Sequence, residues 1–309
     1  MAAVFNVLLP IFALILAGYL CRRLGVLGPS AASEVNRMVV WLCLPALLFE
    51  ATATADWVQI WQPQFILAYS LGALAVFVLT LLWRLRQRQG LADASVQGLS
   101  ASYANTGYMG IPLCVLVLGD EGLEPALIAS LIVVCVLFSL AVVCIEVALQ
   151  DEKRLHRAVA KVLLALIKNP LVVAPLLGGL WSVFDQPLPL PAHRLLDLLA
   201  AATAPCALIS LGLFLAHKQS GRSEGSIGLV LIKLIVHPLI TWVLAFQVFQ
   251  LPPLWAYAAL LLSALPTGTG PFMLAEFYRR EASVVSSSIL LSTLGSLFSL
   301  SLCLYLIGQ

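Results

Sequence analysis

The sequence predicts an all-α polytopic membrane protein with ten transmembrane helices in two inverted five-helix repeats, in which the fourth and ninth helices are broken and cross. Three observations carry that prediction: the composition, the spacing of long apolar runs, and the self-similarity of the two halves. Of 309 residues, 61% are hydrophobic and only 10% charged, and the mean hydropathy is +1.01. A soluble globular chain is excluded on those numbers. Seventeen Lys and Arg against fifteen Asp and Glu leave a net charge of +2, so neither a nucleic-acid footprint nor an acidic tail is present. The seven cysteines (Cys21, Cys43, Cys114, Cys135, Cys144, Cys206, Cys303) fall in or beside apolar stretches without CxxC or His pairing. They read as small core residues, not a disulfide or metal framework, and no cofactor is expected.

A bilayer core takes about 20 apolar residues as helix. On that ruler the spans are 3–21, 34–55, 63–83, 95–118, 123–148, 169–185, 194–216, 226–249, 254–277 and 283–307. The first has Pro10 mid-run, no basic n-region and no small-residue cleavage site, and so reads as a retained helix instead of a signal peptide. The fourth and ninth contain Gly/Pro clusters near mid-span. The seventh has a small-residue stretch from Ala200 to Gly212, and the tenth a stripe of Ser288, Ser292, Gly295, Ser296 and Ser299; both predict close helix packing. Tryptophans 41, 57, 61, 83, 181, 242 and 255 lie mostly near span ends, as interfacial anchors do. Between the halves, 1–150 and 151–309, the stretch Asp151 to Leu166 places basic residues at 153, 154, 157 and 161 among apolar ones. That pattern predicts an amphipathic helix on the inner surface.

Orientation follows from Lys and Arg in short loops. Arg22, Arg23 and Arg37 flank the first connection, Arg84, Arg86 and Arg88 the third, Lys153, Arg154, Arg157, Lys161 and Lys168 the fifth, Lys218, Arg222 and Lys233 the seventh, and Arg279 and Arg280 the ninth. The even connections carry only Arg194, with Asp56, Asp120, Glu121, Glu124 and Asp185. Odd connections are therefore expected inside and both termini outside.

A shift of about 160 residues superimposes the punctuation of the halves. Pro10 falls on Pro170, Gly18 on Gly178, Pro45 on Pro205, and Leu137-Phe138-Ser139-Leu140 on Leu297-Phe298-Ser299-Leu300; one further residue of shift brings Thr106-Gly107 onto Thr267-Gly268. With an odd number of spans per half, the second copy lies upside down relative to the first, which is the inverted-repeat plan of secondary transporters.

The chemistry concentrates at two matched interruptions, Asn105-Thr106-Gly107-Tyr108-Met109-Gly110-Ile111-Pro112 in the fourth span and Pro266-Thr267-Gly268-Thr269-Gly270-Pro271 in the ninth. Glycine weakens a helix, proline removes a donor, and the freed backbone groups need partners where bulk water is absent. If both spans unwind and cross there, the second half of each presents amide donors and a positive dipole end at membrane depth, which favours an anion. The expected substrate site comprises Tyr103, Asn105, Thr106, Gly107, Gly110, Pro112, Ser263, Pro266, Thr267, Gly268, Thr269 and Pro271. The plainer reading is two Pro-kinked helices whose threonines bond their own backbone.

Ionisable groups inside the spans are few and are functional candidates. His237, in the eighth span, carries a coupling proton or is a packed histidine. Lys233, one turn earlier, attracts a carboxylate or snorkels to the inner surface. Glu276, two turns after the ninth-span break, is the best acidic position for a cation or proton; Glu50 and Glu146 lie near span ends.

The sequence resembles the auxin efflux carrier family, bacterial members of which are described as malonate and malate permeases. The resemblance runs through Leu44-Pro45-Ala46-Leu47-Leu48-Phe49, Asn105 to Leu113, Lys168-Asn169-Pro170-Leu171, and Pro266-Thr267-Gly268 through Leu274-Ala275. It implies a fold like that of the bile-acid sodium symporters, with a scaffold bundle of spans 1, 2, 6 and 7 and a transport bundle of spans 3–5 and 8–10. It further implies an organic anion held where spans four and nine cross, an elevator-like movement, and a homodimer through the scaffold. The long cytoplasmic loop of the plant exporters is missing, and no proline follows Asn105, which favours a small acid over auxin as substrate. The function read from the sequence is thus a secondary carrier of a small carboxylate, with H+ or Na+ as coupling ion and the lipid bilayer as its surroundings. A sodium-coupled organic-anion symporter, a channel or a membrane sensor are the alternatives. An intramembrane enzyme is disfavoured: HExxH is absent, the four histidines are scattered, and no two acids share a mid-membrane helix face. No GxxxxGK[ST] loop is present either.

Overall fold

The computed structural model describes residues 2–54, 62–149, 164, 167, 168, 170–184, 186–216 and 225–307. Almost all of the stretch 151–166, expected to lie on the inner surface, falls outside the described residues. Helix is the regular structure among those described, joined by one isolated antiparallel bridge between Ala104 and Thr267. In chain order the helices are α1 (Ala2–Arg23), α2 (31–53), α3 (Pro63–Arg86), α4 (Leu91–Ser102), α5 (Thr106–Leu118), α6 (Asp120–Leu149), α7 (Pro170–Ser182), α8 (Leu190–Leu215), α9 (Ser226–Val248), α10 (Pro253–Ala264), α11 (Gly270–Phe277) and α12 (Ser283–Ile307). Among the described residues six are long and apolar enough to cross a membrane: α2 within Ala31–Glu50, α3, α6, α8, α9 and α12.

Burial on α12 shows which solvent the fold is built for. Ser288, Ser292 and Ser296 are fully buried, whereas Leu294, Leu302 and Phe298, the last 81% exposed, point outward. That is the reverse of a helix facing water and suits a surface bathed in hydrocarbon. Each of these hydroxyls donates to a carbonyl one turn back (Ser288 to Val284, Ser292 to Ile289, Ser296 to Thr293), so the three are satisfied within their own helix.

Proline positions account for a second feature. Widened π turns at Val39–Cys43, Thr106–Gly110 and Ile232–Val236 each run directly into an α segment whose second residue is proline: Pro45, Pro112 and Pro238. A proline ring clashes with the carbonyl four residues back and offers no N–H to it. The wider turn relieves that clash without ending the helix.

The closest packing is between α1 and α8 and between α2 and α7, and glycine sets it. A Cβ on Gly18 would lie 2.2 Å from the carbonyl oxygen of Ile209, and one on Gly178 would lie 2.3 Å from that of Phe49. Both the glycines and their carbonyl partners are 160 residues apart. Gly212 completes the α1–α8 contact, with Ile15 O at 1.9 Å from its would-be Cβ. At one end of the molecule Arg84 donates to the carbonyl of Gly225 at 2.7 Å, and Arg280 forms a two-pronged pair with Asp93, so segments beside the basic third, seventh and ninth connections are joined pairwise.

Candidate substrate site

The site is built where α4 stops and α10 stops. Tyr103 is extended (φ −79°, ψ 92°), as is Leu265 (φ −60°, ψ 153°), so both chains leave the helical region at these residues. The two extended segments then run antiparallel. Asn105 N donates to Pro266 O at 2.9 Å, and Gly268 N donates to Tyr103 O at 3.0 Å. The Thr267 amide donates to Ser292 Oγ at 3.1 Å, and its hydroxyl to the Ser100 carbonyl at 2.9 Å. Backbone groups that leaving the helix would strand are thereby matched inside the protein.

Helical bonding restarts at Thr106 and at Gly270, and the carbonyl of Asn105 accepts from both Met109 and Gly110. The amides of Gly107 and Tyr108, in the first turn of α5, find no backbone acceptor among the described residues, as expected of a helix N-terminus. The side-chain amide of Asn105 adds an unused donor: Nδ2 is buried and has no acceptor among the described residues.

Asn105, Gly107 and Tyr108 are among the residues that line a cavity of about 170 Å³. Its lining includes Tyr103, Asn105, Thr106, Gly107 and Thr269 from the two interruptions, Val40, Leu44 and Leu48 of α2, and Ser130 and Phe138 of α6. Among the described residues no charged side chain lines it. The Tyr103 ring lies against the Gly268–Gly270 backbone, where a Cβ on Gly270 would come within 2.6 Å of it, and meets Phe138 edge to face. A second cavity of about 510 Å³, lined by Pro29, Ser33, Asn36, Ser210, Phe214 and Phe272 among others, shares Tyr108 and Thr269 with the first. Tyr108 OH donates to Asn36 Oδ1 at that boundary.

The remaining residues expected at the site lie outside the cavity lining. Pro266, Thr267 and Gly268 form the pairing between the segments. Gly110 allows α5 to approach Leu262 and Leu265, its would-be Cβ 2.8 Å from Leu262. Pro112 and Pro271 sit in the opening turns of α segments. Ser263 is in α10, where its carbonyl accepts from Lys233 Nζ at 2.7 Å. Lys233 is fully buried, so it does not snorkel to a surface. His237 is also fully buried, beside Tyr69 with ring centroids 6.4 Å apart; neither imidazole nitrogen has a partner among the described residues. The side chain of Glu276 lies outside the described residues. Glu146 accepts from Tyr278 at 2.8 Å. Sequence reasoning missed Val40, Leu44, Leu48 and Ser130. The first three are apolar and carry no chemical signal, and the Ser130 hydroxyl bonds its own helix at Ala126.

The sequence model of the family described as "Membrane transport protein" matches residues 3–304. A protein of Rhizobium meliloti (strain 1021) described as "Putative malonate transporter" is 30% identical over 309 residues, covering 99% of this chain and 97% of its own. An "Uncharacterized transporter" of Methanothermobacter thermautotrophicus is 29% identical, with 95% of each chain covered. "Auxin efflux carrier component 8" of Arabidopsis thaliana is 25% identical, with 94% of each covered. A match of that extent, on an all-helical chain that presents apolar side chains outward, shows that the protein belongs to the auxin efflux carrier family of membrane transport proteins and is a transporter, not an enzyme.

Proposed function

We propose that the protein is a secondary carrier of a small carboxylate, bound in the cavity where the α4–α5 and α10–α11 interruptions pair. The observation that carries this reading is the donor set: the Asn105 side-chain amide and the Gly107 and Tyr108 amides all await acceptors beside a cavity that no acidic side chain lines among the described residues. Charge-assisted bonds from such donors to a carboxylate are roughly twice as strong as neutral ones, and two helix N-termini add a favourable field. Ligand cavities commonly measure roughly 300–1,000 Å³. One of about 170 Å³ suits an acid of a few heavy atoms better than an indole acid.

In this reading α4–α5 and α10–α11 are spans four and nine of a ten-span inverted repeat. The matched contacts Gly18–Ile209 and Gly178–Phe49, each partner 160 residues from its counterpart, support that frame. The pairs α1–α8 and α2–α7 form a scaffold that dimerises, and the remaining helices move as an elevator with the cavity at their boundary. His237 and Lys233, both buried on α9, move with them and are the coupling candidates. The basic connections face the cytoplasm of a bacterial inner membrane, with both termini on the other side.

The test is uptake of radiolabelled malonate by the purified protein in liposomes. The expected result is saturable uptake, competed by other small carboxylates and lost in Asn105→Ala. Non-saturating flux would point to a pore, and binding without flux to a sensor.

A further inference from the structure

The histidines are scattered along the chain, but the fold brings one of them between two carboxylates. His193 stands in the first turn of α8, where its amide donates to Pro189 O at 3.0 Å, and Asp197 follows one turn later on the same helix face. Glu50 meets the pair from the last turn of α2. His193 Nδ1 lies 3.1 Å from Glu50 Oε1 and 3.0 Å from Asp197 Oδ2. The imidazole nitrogen and one oxygen from each carboxylate all fall within 4.8 Å of one another. The backbone under Glu50 is held in place. Its carbonyl accepts from the amide of Thr54 at 3.0 Å and from the Thr54 hydroxyl at 2.8 Å, and Gly178 of α7 packs against the adjoining Phe49 and Thr52.

The cluster is short of protons and of positive charge. Nδ1 carries at most one proton, whether the imidazole is neutral or charged, so two carboxylates compete for a single donor. Among the described residues neither Glu50 nor Asp197 has a Lys or Arg partner, which leaves one carboxylate beside a like charge. A divalent ion meets both shortages at once: it accepts the lone pair of an unprotonated Nδ1 and one oxygen from each carboxylate, and its charge balances theirs. Zinc bound by nitrogen and oxygen at about 2.0–2.2 Å holds tetrahedral neighbours roughly 3.4 Å apart, close to the Nδ1–oxygen separations here. One imidazole with two carboxylates suits zinc, whereas calcium and magnesium prefer all-oxygen shells of higher coordination number. The side chains of His193 and Asp197 are 45% and 57% exposed, so an ion can enter and keep water in its fourth position.

We propose that Glu50, His193 and Asp197 form a zinc site that clasps the end of α2 to the start of α8. The proposal stands apart from the carboxylate reading, because none of the three residues lines either cavity. The clasped helices do contribute to those cavities: α2 supplies Val40, Leu44 and Leu48 to the first, and α8 supplies Ser210 and Phe214 to the second. In the proposed orientation the site lies at the outer face, beside the second and sixth connections.

The experiment is isothermal titration of zinc chloride into the purified, tag-free, metal-stripped full chain, as wild type, His193→Gln and Asp197→Asn, with melting curves in zinc, in calcium and in neither. Wild type is expected to bind zinc saturably, near one ion per chain. Its melting temperature should rise in zinc and not in calcium, since an ion held by both helices favours the folded state. Each variant should bind zinc at least tenfold more weakly and lose the shift. Absence of saturable binding to wild type would overturn the proposal and leave the cluster an ordinary ion pair. Zinc binding of wild-type strength in either variant, or an equal shift from calcium, would overturn it as well. The wild-type titration and its calcium control decide even if a variant fails to assemble.

Discussion

Where α1 crosses α8, glycine lets two helices touch backbone to backbone; where α4–α5 meets α10–α11, Pro266 and Gly268 belong to a segment that has left the helix altogether. The first contact uses Gly18 and Gly212 against the carbonyls of Ile209 and Ile15, within helices that run on through Ala2–Arg23 and Leu190–Leu215. In the second, Tyr103 and Leu265 are extended, and the stranded groups are satisfied between segments. Both regions are buried, and both exclude lipid. The pairing leaves the Asn105 side-chain amide and the first-turn amides of α5 without an acceptor among the described residues. A helix contact and the proposed binding site thus use the same residue type, according to whether the neighbouring backbone keeps its helical partners.

That contrast can be broken at several points. The largest effect is expected at Gly212, where a side chain would overlap the Ile15 carbonyl. Gly212→Val should yield no monodisperse protein on size-exclusion chromatography, because a carbonyl in a packed helix cannot yield by the distance required; a normally assembled variant would show that the helices do not approach so closely. Asn105→Ala should leave assembly and melting temperature near wild type while weakening malonate binding by tenfold or more, about 1.4 kcal/mol or above. Binding that survives this change would remove the donor set from the site. Thr267→Val removes the hydroxyl bond to Ser100 O but keeps the backbone pairing. It should lower stability by about 1–2 kcal/mol, the cost of leaving a buried carbonyl one partner short, read as a fall in melting temperature of the purified protein. The smallest effect is expected from Asp93→Asn, which loosens the Arg280 pair. Both side chains are about a third exposed, at 32% and 30%, so the loss should stay within about 1 kcal/mol and shrink further in high salt. Asp93 holds the Arg280 guanidinium above its ordinary pKa through the hydrogen bond they share, and the arginine stays charged in either variant.

Much of this was legible from residue order, for identifiable reasons. Long apolar runs fixed the helices to within about four residues, since lipid leaves the backbone no alternative to internal bonding. The Pro266–Pro271 cluster located the second interruption because its prolines cannot donate: α10 ends at Ala264 and helix resumes at Gly270. The first interruption was placed too late. The sequence points to 105–112, but the chain is already extended at Tyr103, and Gly107 to Gly110 form a π turn. Proline in the opening turn of a helix is compatible with that helix, so Pro112 marks where α geometry resumes and not where it fails. The π turns themselves left no readable trace, because proline in the following segment is equally compatible with a kink. The α2 wall of the cavity was invisible for a different reason: Val40, Leu44 and Leu48 contribute shape, and shape at a helix crossing is set by which face turns inward. Lys233 was visible as a charge, but the carbonyl that receives it is 30 residues away, and no periodicity reports such a contact.

Hydrogen–deuterium exchange of the purified protein, with and without saturating malonate, tests the central claim most directly. The account predicts that exchange slows in peptides spanning 103–112 and 265–272, where the free first-turn amides acquire an acceptor, and is unchanged across the α1–α8 contact. Unaltered exchange in both peptides, together with protection at some other place in the chain, would contradict it.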